Sequence, residues 1–258
     1  MKLHYTESGN TEASLIVFLH GGGVSGWMWA KQIEYFKDYH CLVPDLPGHG
    51  KSPCTDFSIQ NCAEEILNLI LTKAQGKKVI LIGFSLGAQV AMEILSMNPD
   101  IVDYSIINSV LVRPAPFVNK MIQPAIRLTY GLTKNRTFSK LQAKQLYIGE
   151  EMFETYYKET SNMDMNLLIQ ILEENMSFRI PTDFSKSTAK ILITVGEKEK
   201  KMMRKSLLDI VDNTIHCKGI IIPNVGHGVS LAQPELFNKI VEAWINDREL
   251  PYGLTLVK

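Results

Sequence analysis

Short apolar runs alternate with amphipathic segments along most of this chain of 258 residues. The runs are compact and end at glycine, proline or polar residues, which is typical of buried strands; they occupy 14–20, 40–46, 78–84, 104–110, 190–196 and 219–226. Helical spacing of apolar residues marks the segments between them, at 27–36, 58–74, 86–100, 202–211 and 234–247. This alternation predicts an α/β fold with a mostly parallel, doubly wound sheet and helices on both faces.

The alternation stops between Arg113 and about Ser187, where no run suits a buried strand. Amphipathic helical segments fill the interval, at 117–130, 136–147, 150–160 and 163–176. Ligands bind outside the carboxyl ends of the strands in open α/β sheets, so a helical block inserted there predicts a cap over that edge. We therefore expect a core formed by 1–112 and 189–258, with a helical cap subdomain at 113–188.

Charge and hydropathy argue against several functional classes. The 27 basic and 27 acidic residues give zero net charge, which indicates affinity neither for nucleic acid nor for an anionic membrane. The longest apolar runs are far too short to cross a bilayer. The sequence begins MKLHYTESGN, which lacks the apolar stretch of a signal peptide, so we expect a cytoplasmic protein.

The cysteine pattern predicts no metal site. The four cysteines form no CxxC pair and have no clustered histidine partners; they are Cys41, Cys54, Cys62 and Cys217. Zinc sites usually require such spacing. We interpret all four as reduced thiols.

The pentapeptide Gly83-Phe84-Ser85-Leu86-Gly87 fits the pattern G-x-S-x-G between a predicted buried strand and a predicted helix. This context is the one that a nucleophile elbow requires, because the sharp turn projects the serine hydroxyl from the sheet edge. Ser85 is therefore the candidate nucleophile. The alternative is a chance Gly-Ser-Gly turn that caps a helix.

The segment His20-Gly21-Gly22-Gly23 follows the first strong apolar run. Acyl transfer needs two hydrogen-bond donors for the tetrahedral oxyanion, and glycines let backbone amides approach a ligand closely. We expect the amide of Leu86 to be one donor and that of Gly22 the other, with Gly23 the next candidate. His20 is expected to fix the loop by side-chain hydrogen bonds. A plain glycine-rich strand exit is the alternative.

A histidine follows the last apolar run, in the sequence Asn224-Val225-Gly226-His227-Gly228. An acylating serine needs a base whose pKa lies near neutrality, which histidine supplies. The flanking glycines allow the loop to reach back toward the serine. His227 is thus the candidate base, and a surface loop histidine is the alternative.

Taken in chain order, HGGGVSGWMW, DLPGHGKS, GFSLGA and NVGHG resemble the α/β-hydrolase superfamily, and more narrowly its small capped esterases and C–C hydrolases. The resemblance covers 1–112 and 189–258, whereas 113–188 contains no motif that matches. It implies the α/β-hydrolase fold, a serine–acid–histidine order along the chain, and chemistry without a cofactor.

The resemblance also places the catalytic acid three residues after the glycine that ends the late strand. That glycine is Gly196, so the acid would be Glu199, holding Nδ1–H of His227. Most relatives carry aspartate here, and glutamate is one methylene longer. Glu197 remains a rival on the opposite side of the strand, and a merely solvated charged turn remains an alternative. Asp103 precedes its strand and would lie at the wrong edge of the sheet.

These residues favour hydrolysis of a small or medium apolar carboxylic ester through an acyl-enzyme intermediate. The substrate partner would be a small molecule, with apolar cap residues lining the pocket roof. C–C bond hydrolysis, a lyase step or acyl transfer on the same residues is an alternative. A ligand-sensing or partner-binding protein with little turnover is another. The sequence does not indicate an oligomeric state.

Overall fold

Residues 3–257 are described by the computed structural model, and within this range eight strands form one sheet. The strands are β1 Tyr5–Gly9, β2 Leu15–Leu19, β3 His40–Pro44, β4 Val79–Phe84, β5 Tyr104–Asn108, β6 Lys190–Gly196, β7 Cys217–Ile222 and β8 Thr255–Val257. Their order across the sheet is β1-β3-β2-β4-β5-β6-β7-β8. The six inner strands run parallel, whereas β1 and β8 pair antiparallel at the two edges. The predicted mostly parallel α/β sheet is confirmed.

Ten α-helices connect and cover the strands of the described chain. They are α1 Ala30–Tyr35, α2 Ile59–Ala74, α3 Leu86–Met97, α4 Pro116–Thr129, α5 Arg136–Gln145, α6 Glu150–Asn162, α7 Met165–Ser177, α8 Lys201–Asn213, α9 Val229–Ala232 and α10 Pro234–Ile245. Short 3-10 helices lie at Gly26–Trp29, Tyr130–Lys134 and Phe184–Lys186. The Ser58 side chain caps α2 by accepting a hydrogen bond from the Asn61 amide at 3.1 Å.

The inner strands are apolar on both sides because helices bury both faces of the sheet. All five residues of β2 are buried, and successive side chains point to opposite faces. Leu15, Val17 and Leu19 pack into one cluster with α2, α3 and α8. Ile16 and Phe18 pack into the other with α1 and α10. The doubly wound arrangement follows from this two-sided burial.

Helices α4 to α7 occupy the interval between β5 and β6, and residues 113–188 are called the helical insertion below. Within it, the described chain contains helices and turns but no strand. Two side chains of α7 accept hydrogen bonds from backbone amides at the N-terminus of α2. Gln170 accepts from the Phe57 amide at 2.9 Å, and Glu174 accepts from the Ile59 amide at 2.8 Å. The insertion is thereby tied to the sheet core at a helix N-terminus that would otherwise leave amides unpaired.

Three features of the fold were not predicted from the sequence. The edge strand β1 is largely exposed and polar, and β8 is an exposed strand of three residues, Thr-Leu-Val, so neither forms an apolar run of the length expected for a buried strand. Helix α9 is a single turn and too short to show periodicity. The predicted helix at 27–36 is also wrong in detail, because a 3-10 turn over Gly26–Trp29 precedes α1.

Candidate active site

Ser85 occupies the corner between β4 and α3, with φ 52° and ψ −111°. Positive φ is unfavourable for a residue with a side chain, so the corner is held by its surroundings. The flanking glycines explain how the turn closes. A Cβ at Gly83 would lie 2.7 Å from the Ala88 Cα, and one at Gly87 would lie 2.5 Å from the His20 carbonyl oxygen. The sharp strand-to-helix turn therefore needs glycine at both positions.

The glycine-rich loop after β2 lies against this corner and is fixed by His20. The Leu46 amide donates to His20 Nε2 at 2.8 Å, so Nδ1 carries the proton and donates to the Gly21 carbonyl at 2.8 Å. Complete burial, with a smaller effect of His49, lowers the pKa of His20 to about 3. His20 is thus a neutral structural residue, as predicted.

The two residues predicted to supply oxyanion donors are neighbours. A Cβ at Gly22 would lie 3.7 Å from Leu86 Cδ2, and one at Gly21 would lie 3.5 Å from Ser85 Cβ. The Gly22 backbone is exposed, whereas Leu86 is buried at the start of α3. The loop after β2 and the first residue of α3 therefore flank Ser85 from two sides.

His227 and Glu199 are brought together at the carboxyl ends of β6 and β7. His227 Nδ1 lies 2.8 Å from Glu199 Oε2, and the Glu199 side chain is 1% exposed while that of His227 is 32% exposed. A carboxylate can only accept, so the ring donates from Nδ1 and keeps the Nε2 lone pair available. The geometry selects Glu199 over Glu197 as the partner of His227.

The His227 ring also contacts the residue that precedes Ser85. Its centroid lies 4.8 Å from that of the Phe84 ring. Over residues 3–257 no hydrogen bond joins the Ser85 hydroxyl to His227, although the His227 ring contacts the residue beside Ser85. Such bonds are often long in ligand-free sites and tighten when substrate binds.

The Glu199 carboxyl group is anchored by contacts that the sequence did not reveal. Its Oε1 accepts from the Ser109 hydroxyl at 2.7 Å and from the Gly196 amide at 2.8 Å. Ser109 has φ 56° and follows β5, the strand that pairs with β6. The contact between Ser109 and Glu199 could have been inferred only from the pairing of β5 with β6. The carboxyl group is therefore oriented before any ligand arrives.

The other acidic candidates lie elsewhere. Glu197 accepts from the Asn224 amide at 2.9 Å and so supports the loop that carries His227. Asp103 accepts from the Val79 amide at 2.8 Å, at the start of β4. It lies at the amino edge of the sheet, as predicted.

Comparison with known proteins shows the family of the chain. Residues 16–240 match the Alpha/beta hydrolase family.

The chain belongs to the alpha/beta hydrolase family.

Similar proteins include several hydrolases of this family. The (E)-2-((N-methylformamido)methylene)succinate hydrolase of Acinetobacter baylyi is 26% identical over 251 residues, which cover 94% of this chain and 93% of the relative. An enol-lactonase from Burkholderia xenovorans has a TM-score of 0.78 at 16% identity, covering 95% of this chain and 96% of its own. A thermophilic esterase from Thermogutta terrifontis has a TM-score of 0.75 at 18% identity, covering 95% and 93%. The two structures show a shared fold.

In this alpha/beta hydrolase the helical insertion contacts the segment that follows the glycine-rich loop. Glu159 of α6 accepts from the Ser25 hydroxyl at 2.8 Å and from the Trp27 indole nitrogen at 2.9 Å. Burial raises the pKa of Glu159, and these two hydrogen bonds oppose the rise. Both carboxyl oxygens therefore tie α6 to the core beside the site.

Two further residues of the insertion approach the site loops. The Tyr147 hydroxyl accepts from the Gly226 amide at 2.9 Å, immediately before His227. Ile171 of α7 is buried, and its Cγ2 lies 3.9 Å from the Cβ position of Gly22. Tyr147 also lines a cavity of 770 Å³, whose lining does not include Ser85 or His227. The insertion thus faces both loops of the hydrolase site.

The residues that the structure describes contain neither a cluster suited to a metal ion nor a helix suited to span a membrane. In the range 3–257 no group of three or more histidine, cysteine or acidic side chains is arranged to hold a metal. Burial raises the pKa of the Cys41 and Cys217 thiols to about 12. No helix in that range combines the length and the apolar character that crossing a bilayer requires.

Proposed function

We propose that this alpha/beta hydrolase cleaves a small or medium apolar carboxylic ester through an acyl-enzyme formed on Ser85. One observation carries the proposal. A buried carboxyl group, Glu199, holds Nδ1 of His227 at 2.8 Å, and this ring stands beside the strained corner that presents Ser85. The arrangement suits an imidazole that accepts a proton from an alcohol and becomes an ion pair with the carboxylate.

Acylation begins when the Ser85 hydroxyl oxygen attacks the ester carbonyl carbon while His227 Nε2 takes the hydroxyl proton. The carbonyl electron pair moves onto oxygen, where the amides of Gly22 and Leu86 donate hydrogen bonds. One such donor is worth about 3 kcal/mol of barrier. Collapse of the intermediate breaks the bond to the alkoxide, which takes the proton from His227 and leaves as the alcohol.

Deacylation repeats these steps with water. His227 takes a proton from water as its oxygen attacks the acyl carbon, and the second tetrahedral intermediate expels Ser85. The proton returns from His227 to the serine oxygen, so the products are one carboxylic acid and one alcohol. These steps need no cofactor.

The apolar side of the insertion supports an apolar acyl group. Ile171 stands beside Gly22, and Leu167 lies near the loop after β3, where its Cδ2 is 2.9 Å from the Cβ position of Gly48. We infer that residues 113–188 act as a cap, and that its buried aliphatic residues cover the place where the acyl group of the substrate binds. The similar structures include a thermophilic esterase and an enol-lactonase, which is compatible with an ester substrate.

A fluorophosphonate probe, which phosphonylates an activated serine, tests the proposal. Wild-type protein should be labelled, Ser85→Ala should not, and His227→Ala should be labelled far more slowly. Chromogenic esters of increasing acyl length would then define the substrate range. Folded wild-type protein that takes up no probe and turns over no ester would contradict the proposal and favour a ligand-binding role.

A further inference from the structure

The zero net charge of the chain conceals a strong segregation of charge. Residues 113–149 contain seven lysines and arginines and no aspartate or glutamate, leaving 20 basic and 27 acidic residues in the rest of the chain. Among the described residues, only Arg113 and Arg136 of these seven form salt bridges, with Asp209 and Glu154. We call residues 113–149 the cationic segment.

The same segment carries an unusual share of exposed apolar surface. Seven of the 14 large apolar side chains that are exposed in residues 3–257 belong to it. Phe117 is 79% exposed and Leu128 is 87% exposed, and Val118, Met121 and Leu132 are also exposed. A soluble protein rarely groups such side chains without a ligand or partner that covers them.

Helix α4 separates its apolar and cationic residues by face. Phe117, Met121 and Leu128 share one side of the helix by their spacing of four and seven residues. Ile122 is buried on the side that packs against α7. Lys120 and Arg127, also seven residues apart, are exposed and border the apolar side. The outward side of α4 is therefore amphipathic in its own right.

We propose that the cationic segment docks on an anionic lipid surface, with α4 lying in the interface plane. Helices that bind there present aromatic and aliphatic residues to the acyl boundary and lysines or arginines to the headgroups. Each basic residue near an anionic leaflet adds to the electrostatic attraction between protein and membrane. The composition alone indicated no affinity for an anionic membrane, because it averages this segment with an acidic remainder.

A second copy of the chain fits this surface poorly. A dimer formed by this surface against itself would place one cationic segment against another, and like charges that face each other repel. Contact with the acidic remainder of a neighbour would satisfy the charges, so self-association is one outcome of the test below. A lipid surface meets the charge requirement and needs no shaped groove.

Cosedimentation with vesicles tests the proposal independently of any catalytic activity. Wild-type protein should bind vesicles of equal parts phosphatidylcholine and phosphatidylglycerol, and bind phosphatidylcholine alone far more weakly. Added salt should weaken the binding. The double variants Phe117→Ser/Leu128→Ser and Lys120→Glu/Arg127→Glu should each reduce the partition coefficient at least about tenfold.

The matched control is Leu71→Ser/Ile215→Ser, which removes two exposed aliphatic side chains outside the cationic segment; Ile215 is 96% exposed. Its binding should equal that of wild type, and circular dichroism should show that all variants fold. The proposal is overturned if wild type does not bind, if it binds neutral and anionic vesicles equally, or if the control loses as much binding as the α4 variants. Self-association that the α4 variants abolish, without vesicle binding, would also overturn it.

Discussion

The two oxygens of the Glu199 carboxyl group have different partners. Oε1 accepts from Ser109 and Gly196, and Oε2 faces Nδ1 of His227. A glutamine at this position has one oxygen and one NH2 group, so it can accept hydrogen bonds on one of these two sides only. With its oxygen toward Gly196, its NH2 group meets His227 and favours the ring tautomer that is protonated at Nε2, which cannot act as a base toward Ser85.

Replacement of Glu199 by glutamine should therefore lower kcat on a chromogenic ester by at least about a thousandfold, with the fold intact. Glu197→Gln is the matched control, because its amide oxygen can still accept from Asn224. The variant should keep kcat close to that of wild type. The reverse ranking of the two variants would transfer the acid role to Glu197.

His20 makes stability depend on pH. Its pKa is lowered from 6.5 to about 3 by burial in the folded protein. A lowered pKa means that protonation favours the unfolded state, so this contribution to stability is complete above pH 6.5 and is lost as pH falls from there toward 3. The full loss is on the order of a few kcal/mol.

Urea unfolding above and below pH 6.5 would measure this loss. His20→Asn should be less stable at neutral pH and should show a shallower decline with acid than wild type. His216→Asn is the control, because His216 is exposed, and its decline should match that of wild type. Equal slopes in all three proteins would contradict a buried neutral His20.

The sequence indicated candidate site residues where a motif contains them. Ser85 and His227 stand in recognisable pentapeptides, and the resemblance to the family implied Glu199, three residues after Gly196. The sequence favoured Glu199 but left Glu197 as a rival, because the choice depends on which way each side chain leaves the turn after β6. Ser109 was missed because its role comes from strand pairing across the sheet.

At the scale of elements, the elbow depends on how closely α3 approaches β2. A Cβ at Gly87 would lie 2.5 Å from the His20 carbonyl oxygen and 2.6 Å from the Leu19 carbonyl carbon, both backbone atoms that cannot rotate away. Helix and strand would have to separate to admit a methyl group. The helix would then move away from the loop that carries Gly22.

Substitution Gly87→Ala should destabilise the protein by at least about 2 kcal/mol in urea unfolding. Gly131→Ala is the matched control. No atom lies within 4 Å of the Gly131 Cβ position, so this variant should be neutral or slightly stabilised. Wild-type stability in Gly87→Ala would show that α3 tolerates a wider gap than this packing implies.

The main elements were predictable because burial on both faces of the sheet leaves continuous apolar runs. Helices such as α2 were also predictable, from periodicity and a serine cap. Strands β1 and β8 escaped prediction because an edge strand is held mainly by backbone hydrogen bonds, which any sequence can form. Their pairings, such as that of Tyr5 with Pro44, leave little trace in composition.

At the scale of the whole molecule, the helical insertion and the sheet core meet through few but specific polar contacts. Glu159 holds Ser25 and Trp27, and Tyr147 holds the Gly226 amide. The insertion also carries the exposed apolar and cationic side chains of α4, among them Phe117, Leu128 and Lys120. One part of the chain thus faces the proposed reaction centre inward and the proposed lipid surface outward.

None of the residues proposed for chemistry belongs to residues 113–188. The segment between β5 and β6 could therefore be replaced by a different helical segment. Such a replacement would change which acyl groups bind and would leave the residues proposed for hydrolysis unchanged. Two requirements limit such exchanges. The replacing segment must accept hydrogen bonds from the Ser25 hydroxyl and the Trp27 indole, and from the Gly226 amide. Without these acceptors, the loops on either side of Ser85 lose their hydrogen bonds to the insertion.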